Sequence, residues 1–261
     1  AASVDHVVST TAAEGRTVTS MGADRGAVSV VPCGVDLRRF GTDGPSAPPR
    51  IAGRTRIACI SRLVPRKGIA DVIRALAQLP DTELLVAGGP PAQMLDDDAE
   101  ATELRRLAER CGVADRVRFL GAVERDDVPA LIRSCDAVCC CPWYEPFGLV
   151  AVEAMACGVP VVAARVGGLA ETVVDGRTGV HVPPRSPDAI AAAVRQLTAD
   201  ERRRQEIGHD ACVRAQAYGW DHIAARTLGV YRRLARQGRR GPAQDPPPWH
   251  QAPADELVGG V

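Results

Sequence analysis

Lys67 is the only lysine in a chain that carries thirty-one arginines. A sequence that uses arginine for ordinary surface charge and places its single lysine in I-S-R-L-V-P-R-K-G asks there for a compact ammonium on a flexible stem. Arg62 stands directly after the apolar run 57–60, and Lys67 directly before a helical pattern. Two cations in such a loop, helped by the N-terminus of the following helix, form the kind of clamp that a diphosphate takes. A solvated basic pair is the plainer reading of the same spacing. A second cluster, W-Y-E-P-F-G-L-V-A-V-E, puts Glu145 in a loop, begins a helix near Phe147 and places Glu153 inside it. A helix from Phe147 to Glu153 spans ~9 Å, enough for two carboxylates to hold separate hydroxyl-bearing groups of one extended ligand. The amides of Phe147, Gly148 and Leu149 at the helix start are free donors for polar ligand atoms. The structural alternative has Glu145 favouring the helix dipole and Glu153 pairing with an arginine. Among Val150, Ala154 and Met155, however, a partnerless Glu153 is costly to bury.

These residues need elements to position them. From about residue 55 to 200, short apolar runs (57–60, 84–87, 117–120, 137–141, 159–164 and 178–182) alternate with amphipathic stretches, the pattern of a parallel sheet flanked by helices. Ile69, Val72, Ile73 and Leu76 fall at helical spacing, as do Ile190, Val194 and Leu197 after a Ser186-Pro187 helix start. The expected architecture is α/β, one doubly wound parallel sheet of Rossmann-like type. Its ligand crevice lies beyond the carboxyl ends of the strands, where loops 61–68, 88–91 and 142–148 emerge. Segments 4–9 and 28–31 read as strands, 41–53 as a Gly- and Pro-rich linker, 215–234 as a helix and 241–261 as a disordered tail.

Length and composition exclude several classes. At about 150 residues per domain, 261 residues hold one large domain plus fringes. Thirty-two basic residues cancel thirty-two acidic ones and aromatics make up 3%, so neither the charge nor the stacking platforms of a nucleic-acid binder are present. The nine cysteines form no C-x-x-C pair, and Cys139, Cys140 and Cys141 read as small buried hydrophobes in a reducing cytoplasm. No apolar run reaches membrane-spanning length and the N-terminus has no signal-peptide pattern. Asp96-Asp97-Asp98 contains a D-x-D that could bind a metal, but it precedes the helical stretch 100–111, where acids suit the positive helix end. The five histidines show no ligand spacing, His181 reading as a structural strand residue, and no G-x-G-x-x-G follows 57–60, which argues against a nicotinamide cofactor.

In sequence order, R-L-x-x-x-K-G, G-G-P, V-R-F-L-G-x-V, E-P-F-G-x-x-x-x-E, A-C-G-V-P-V-V and V-D-G-x-T-G resemble the donor-binding half of glycosyltransferase family 4. Its members are retaining enzymes of the GT-B fold. The upstream S-V-V-P-C-G-V-D is similar to the linker between that family's two domains, and the resemblance covers about residues 1 to 235. It implies the C-terminal domain of a GT-B enzyme with most of the N-terminal domain absent. Residues 1–50 would be a remnant of the acceptor domain and linker, 51–214 the nucleotide-sugar-binding domain, 215–236 a crossover helix and 237–261 a disordered tail. It further implies that Arg62 and Lys67 bind the diphosphate, and that Glu145 with the amides of Phe147, Gly148 and Leu149 holds the sugar. Glu153 would hold the ribose and the backbone at Val123 the base. Arg62, Lys67 and Glu145 are the catalytic candidates. The donor is a UDP-, GDP- or ADP-sugar and the acceptor a glycan, lipid or small molecule. No metal or separate cofactor is involved, and the setting is the cytoplasm, including the inner face of a membrane to which the protein associates peripherally. Gly88-Gly89-Pro90 departs from the family, which often has an acid between the glycines. The rivals are a nucleotide-sugar epimerase of similar build and a non-catalytic nucleotide-sugar-binding module.

Overall fold

The computed structural model describes residues 4–48 and 51–238. Its first elements are β1 (Val7–Ser9), α1 (Ala12–Ser20) and β2 (Val28–Val30), with β1 and β2 paired in parallel as a two-stranded sheet. Then follow β3 (Thr55–Ile60), α2 (Ile69–Leu76), β4 (Thr82–Ala87), α3 (Ala99–Arg110), β5 (Val117–Gly121), α4 (Val128–Arg133), β6 (Ala137–Cys140), α5 (Leu149–Ala156), β7 (Val161–Ala164), α6 (Leu169–Thr172), β8 (Gly179–Val182), α7 (Pro187–Thr198), α8 (Glu201–Ala215) and α9 (Trp220–Gly238).

Strands β3 to β8 form one all-parallel sheet in the order β5-β4-β3-β6-β7-β8. The strands read as continuous apolar runs because helices cover both faces. On one face Ile57, Leu84 and Val86 pack with Ile73 of α2, Leu104 of α3 and Ile190 of α7. On the other, Ala58, Leu85 and Val138 pack with Ala151 and Met155 of α5 and Ala211 of α8. Burying a side chain of the size of Ile73 or Leu84 contributes about 1.5–3 kcal/mol relative to leaving it in water. The expected spacings account for the helices: Ile69, Val72, Ile73 and Leu76 are all buried, as are Ile190, Val194 and Leu197. The chain order reverses between β3 and β6, the switch point at which an open α/β sheet leaves a crevice between diverging loops.

Two segments differ from the sequence reading. Helix α1 was not among the expected elements, although Thr11-x-x-Glu14 is an N-terminal signature: the Thr11 hydroxyl accepts from the Glu14 amide at 3.2 Å, and the Glu14 carboxylate reaches back to the Thr10 amide at 2.6 Å. The expected single helix over 215–236 is interrupted. Helix α8 ends at Ala215, Gln216–Tyr218 forms a 3-10 turn, and Gly219 is extended and bridged to Val35, whose amide donates to the Tyr218 carbonyl at 2.8 Å. That break turns α9 onto the two-stranded sheet, where Ile223 and Val230 bury against Val31 and the Arg226 guanidinium donates to the Val30 carbonyl at 2.9 Å. The segment joining β2 to β3 carries no helix or strand among its described residues. The tail expected at 237–261 lies, from residue 239 on, outside the described residues.

Candidate functional site

The switch point is occupied by a cleft of about 250 Å³, floored by Cys59 and Cys139 at the ends of β3 and β6 and walled by Arg62, Lys67, Glu145 and Leu149. Lys67 ends a 3-10 turn, Pro65–Lys67, that leads into α2, and its ammonium lies 2.6 Å from a Glu145 carboxylate oxygen. Both side chains are mostly shielded, 19% and 17% exposed. Sequence spacing placed both residues in loops but did not anticipate the pair. Their partnership joins the two loops that leave the central strands. Arg62 is exposed on the same wall and has no ion-pair partner among the described residues.

Helix α5 begins at Leu149, two residues later than the sequence reading had it. Gly148 sits at φ 90, and a Cβ there would fall 2.4 Å from the Leu169 side chain, so the tight entry of the loop into the helix requires glycine. The Glu145 carbonyl accepts from the Gly168 amide at 2.9 Å and pins the loop from behind. The amides of Phe147, Gly148, Leu149 and Val150 have no acceptor among the described residues. Gly148, Leu149 and Val150 line the cleft, so their donors stand at its edge with the positive end of the helix dipole. Phe147 does not line it. Its ring is buried and packs edge-on against Tyr218, 5.9 Å between centroids.

Glu153 lies one helical turn beyond Leu149, on the same face of α5 but outside the cleft wall. It is 8% exposed and accepts no hydrogen bond among the described residues. Burial pushes its carboxyl up to about 7, partly offset by the Arg125 guanidinium. A carboxylate buried at this cost, with no hydrogen-bond donor among the described residues, suits donors from outside the chain. Val123, past the end of β5, is also outside the wall, and its backbone amide and carbonyl carry no hydrogen bond among the described residues.

The remaining expectations resolve individually. Cys139 and Cys141 are buried as expected, but Cys140 is half-buried and lines the cleft; burial pushes its thiol up to about 12, the opposite of a reactive thiolate. Asp98 caps α3 by accepting from the Ala101 amide at 2.8 Å, and Asp96 pairs with Arg105 at 2.8 Å, so both acids of the D-x-D serve the helix end. His181 is on β8. In the G-G-P loop, a Cβ at Gly88 would lie 1.9 Å from the Ser61 carbonyl oxygen, so this loop packs directly onto the strand-end loop that bears Arg62.

A parallel sheet with a cation, a carboxylate and free helix-terminal amides gathered at its switch point defines a domain built to hold a ligand with phosphate and hydroxyl groups. More narrowly, the chain belongs to the glycosyl transferases group 1 family, whose profile matches residues 47–212. It is 41% identical over 224 residues to D-inositol 3-phosphate glycosyltransferase 2 of Catenulispora acidiphila, covering 81% of this chain and 52% of that protein. Sucrose-phosphate synthase of Thermosynechococcus elongatus superposes with a TM-score of 0.79 at 32% identity, over 90% of this chain and 59% of that one. HepE of Anabaena, solved in complex with UDP-glucose, superposes with a TM-score of 0.76 at 27% identity, over 89% of this chain and 64% of that one. The chain thus spans about half the length of the curated relatives it matches.

Proposed function

We propose that this chain is the donor-binding half of a retaining glycosyltransferase that uses a nucleoside diphosphate sugar. Residues 51–214 form the donor unit, 1–50 belong to the acceptor half and its linker, and 215–236 cross back to that half. The observation that carries the reading is the Lys67–Glu145 pair in the switch-point cleft. It sets a cation suited to phosphate beside a carboxylate suited to sugar hydroxyls, with unpaired amides at the same edge. Arg62 and Lys67 take the diphosphate, Glu145 and the amides of Gly148 and Leu149 the sugar, Glu153 the ribose hydroxyls and the backbone of Val123 the base. The amide of Phe147, in the bend before α5, belongs to the same donor set.

Transfer breaks the bond between the anomeric carbon and the diphosphate oxygen and joins that carbon to an acceptor hydroxyl oxygen on the same face, the hydroxyl's proton passing to the departing diphosphate. Negative charge grows on the departing diphosphate. Arg62, Lys67 and the α5 amides, already oriented, stabilise it without a bound metal. The solved UDP-glucose complex of HepE makes UDP-glucose the first donor to try, and relatives named for D-inositol 3-phosphate make that phosphorylated polyol the first acceptor. Nine free cysteines support a reducing, cytoplasmic setting.

Thermal shift against UDP-, GDP- and ADP-sugars tests the reading, since a ligand at 100 times its Kd adds ~2.7 kcal/mol of stability. One nucleotide series is expected to stabilise the chain. Glu153→Gln is expected to weaken UDP and UDP-glucose alike, and Glu145→Gln only UDP-glucose. A chain that no nucleotide or nucleotide sugar stabilises overturns the donor reading.

A further inference from the structure

The loop that carries Glu145 is fastened at points that take no part in the donor contacts proposed above. The Trp143 amide donates to the Arg66 carbonyl at 2.9 Å, and the Arg66 guanidinium returns a bond to the Tyr144 carbonyl at 3.3 Å. These two bonds tie the residue before Lys67 to the two residues before Glu145. The Trp143 indole N–H points the other way and donates to Asp71, on the first turn of α2, at 3.3 Å. Asp71 is buried, and its second oxygen accepts from Arg74 at 3.0 Å. Over the face of the indole lies the Arg185 guanidinium, 3.9 Å from the ring centroid, within reach of a cation–π attraction.

Arg185 is the one non-glycine residue at positive φ, 57°, among the described residues. A side chain held in that region is strained, and the conformation persists only where surrounding contacts sustain it. In this turn the Arg185 side chain stacks on Trp143. Trp143 is therefore held from three elements: its main chain from the turn before α2, and its indole from α2 and from the loop between β8 and α7. Trp143 is nevertheless 37% exposed, so this grip is not explained by filling the hydrophobic core.

We propose that Trp143, anchored on Asp71 and covered by Arg185, is a positioning residue that sets the geometry of the Lys67–Glu145 pair. Its role in transfer rests on the donor reading; its geometric content does not. Without the indole, the loop 142–148 keeps its main-chain bonds to Arg66 and to Gly168 but loses its side-chain anchor on Asp71 of α2 and the cover of Arg185, and Glu145 draws away from Lys67.

Lys67 supplies its own probe, because it carries the only side-chain amine in the chain. Acetylation of Lys67 in the full chain, followed by mass spectrometry, reports its access to reagent, while labelling of buried Cys59 and Cys139 reports general opening. Trp143→Ala is expected to speed Lys67 acetylation about 3 to 10-fold with the thiols still protected, as loss of a charged local contact allows. Trp143→Phe, which keeps the stack and loses the bond to Asp71, and Arg185→Gly, which removes the cover and the strain, are expected to fall between native and Trp143→Ala. They carry the test if Trp143→Ala fails to fold. Native Lys67 reactivity in these folded variants overturns the proposal.

A second arm reads UDP-glucose affinity. Trp143→Ala is expected to lower it roughly tenfold in the native background and little in a Lys67→Ala background, because the effect runs through Lys67. Equal losses in both backgrounds overturn the proposal, since a merely structural residue gives additive effects. If the native chain binds no nucleotide but Lys67 reactivity still follows Trp143, the donor reading fails and the positioning inference stands.

Discussion

The six-stranded unit and the β1–α1–β2 unit are both parallel α/β structure, yet they hold their surfaces differently. In the larger sheet each face is covered, and the strands β4 and β7 are buried along their whole length. In the smaller one Val4 and Val8 are exposed, and the buried apolar cluster consists of Val31, Ile223 and Val230, two of them lent by α9. A two-stranded sheet has too little area to stabilise itself and depends on what packs against it. The units meet through polar contacts. Glu171 of α6 accepts from the amides of Ala12 and Ala13 at 2.9 and 2.7 Å, satisfying the N-terminus of α1 from across the boundary. One unit is thus complete in its own packing, while the other is held by a helix, a carboxylate and a linker.

Hydrogen exchange is expected to show this contrast most strongly. Amides of β7, Val161–Ala164, are expected to exchange on the order of 1,000-fold more slowly than those of α9 between residues 223 and 234, which open without unfolding the large sheet. Equal protection would break the comparison and mean that the two units unfold as one.

The sturdier unit carries its own local weakness at Glu153. Its carboxyl titrates near 7 in the folded chain and near 4.5 when exposed, so the folded state holds the proton longer. The stability this group allows is fully present below about 4.5 and is lost as pH rises through about 7, a loss on the order of 2–3 kcal/mol. Glu153→Gln is therefore expected to raise Tm at pH 8 and to leave it nearly unchanged at pH 4.5. Equal Tm changes at the two pH values would show that Glu153 is not held protonated by burial.

The smallest effect separates the units by binding. Lys67→Ala, in the large unit, is expected to weaken UDP binding by roughly 10 to 100-fold in calorimetry. Glu171→Gln, at the junction, is expected to leave it unchanged while loosening α1. A loss at both sites would place part of the nucleotide site across the junction and undo the division drawn here.

Strands β3 to β8 were legible because each is a short apolar run bounded by polar loops, a signal carried by neighbouring residues. Helices α2 and α7 were legible from their buried stripes. Helix α1 was missed because its signature is a capping pattern with only Gly15 buried on the helix, so no apolar stripe marks it. The helix over 215–236 was drawn as continuous because its break at Gly219 depends on a bridge to Val35, far away in the chain. At the site, Arg62, Lys67, Glu145, Gly148 and Leu149 meet on one wall. The start of α5 was placed at Phe147 instead of Leu149 because the sequence does not show that Gly148 takes the left-handed φ of 90° just before the helix.

By itself, then, the sequence determined which residues leave the sheet in loops, that Lys67 and Glu145 stand in such loops with Glu153 inside the following helix, and that the sheet is parallel and doubly wound. These are consequences of local pattern and of the few ways such units connect. Only the tertiary structure decided that Lys67 meets Glu145 across 78 residues of chain, that Glu153 is buried with no hydrogen-bond donor among the described residues, and that Arg185 closes over Trp143. Each of these depends on which loops the strand order brings together, and the energy of a charge or a ring is set by its neighbours in space rather than its neighbours in the chain.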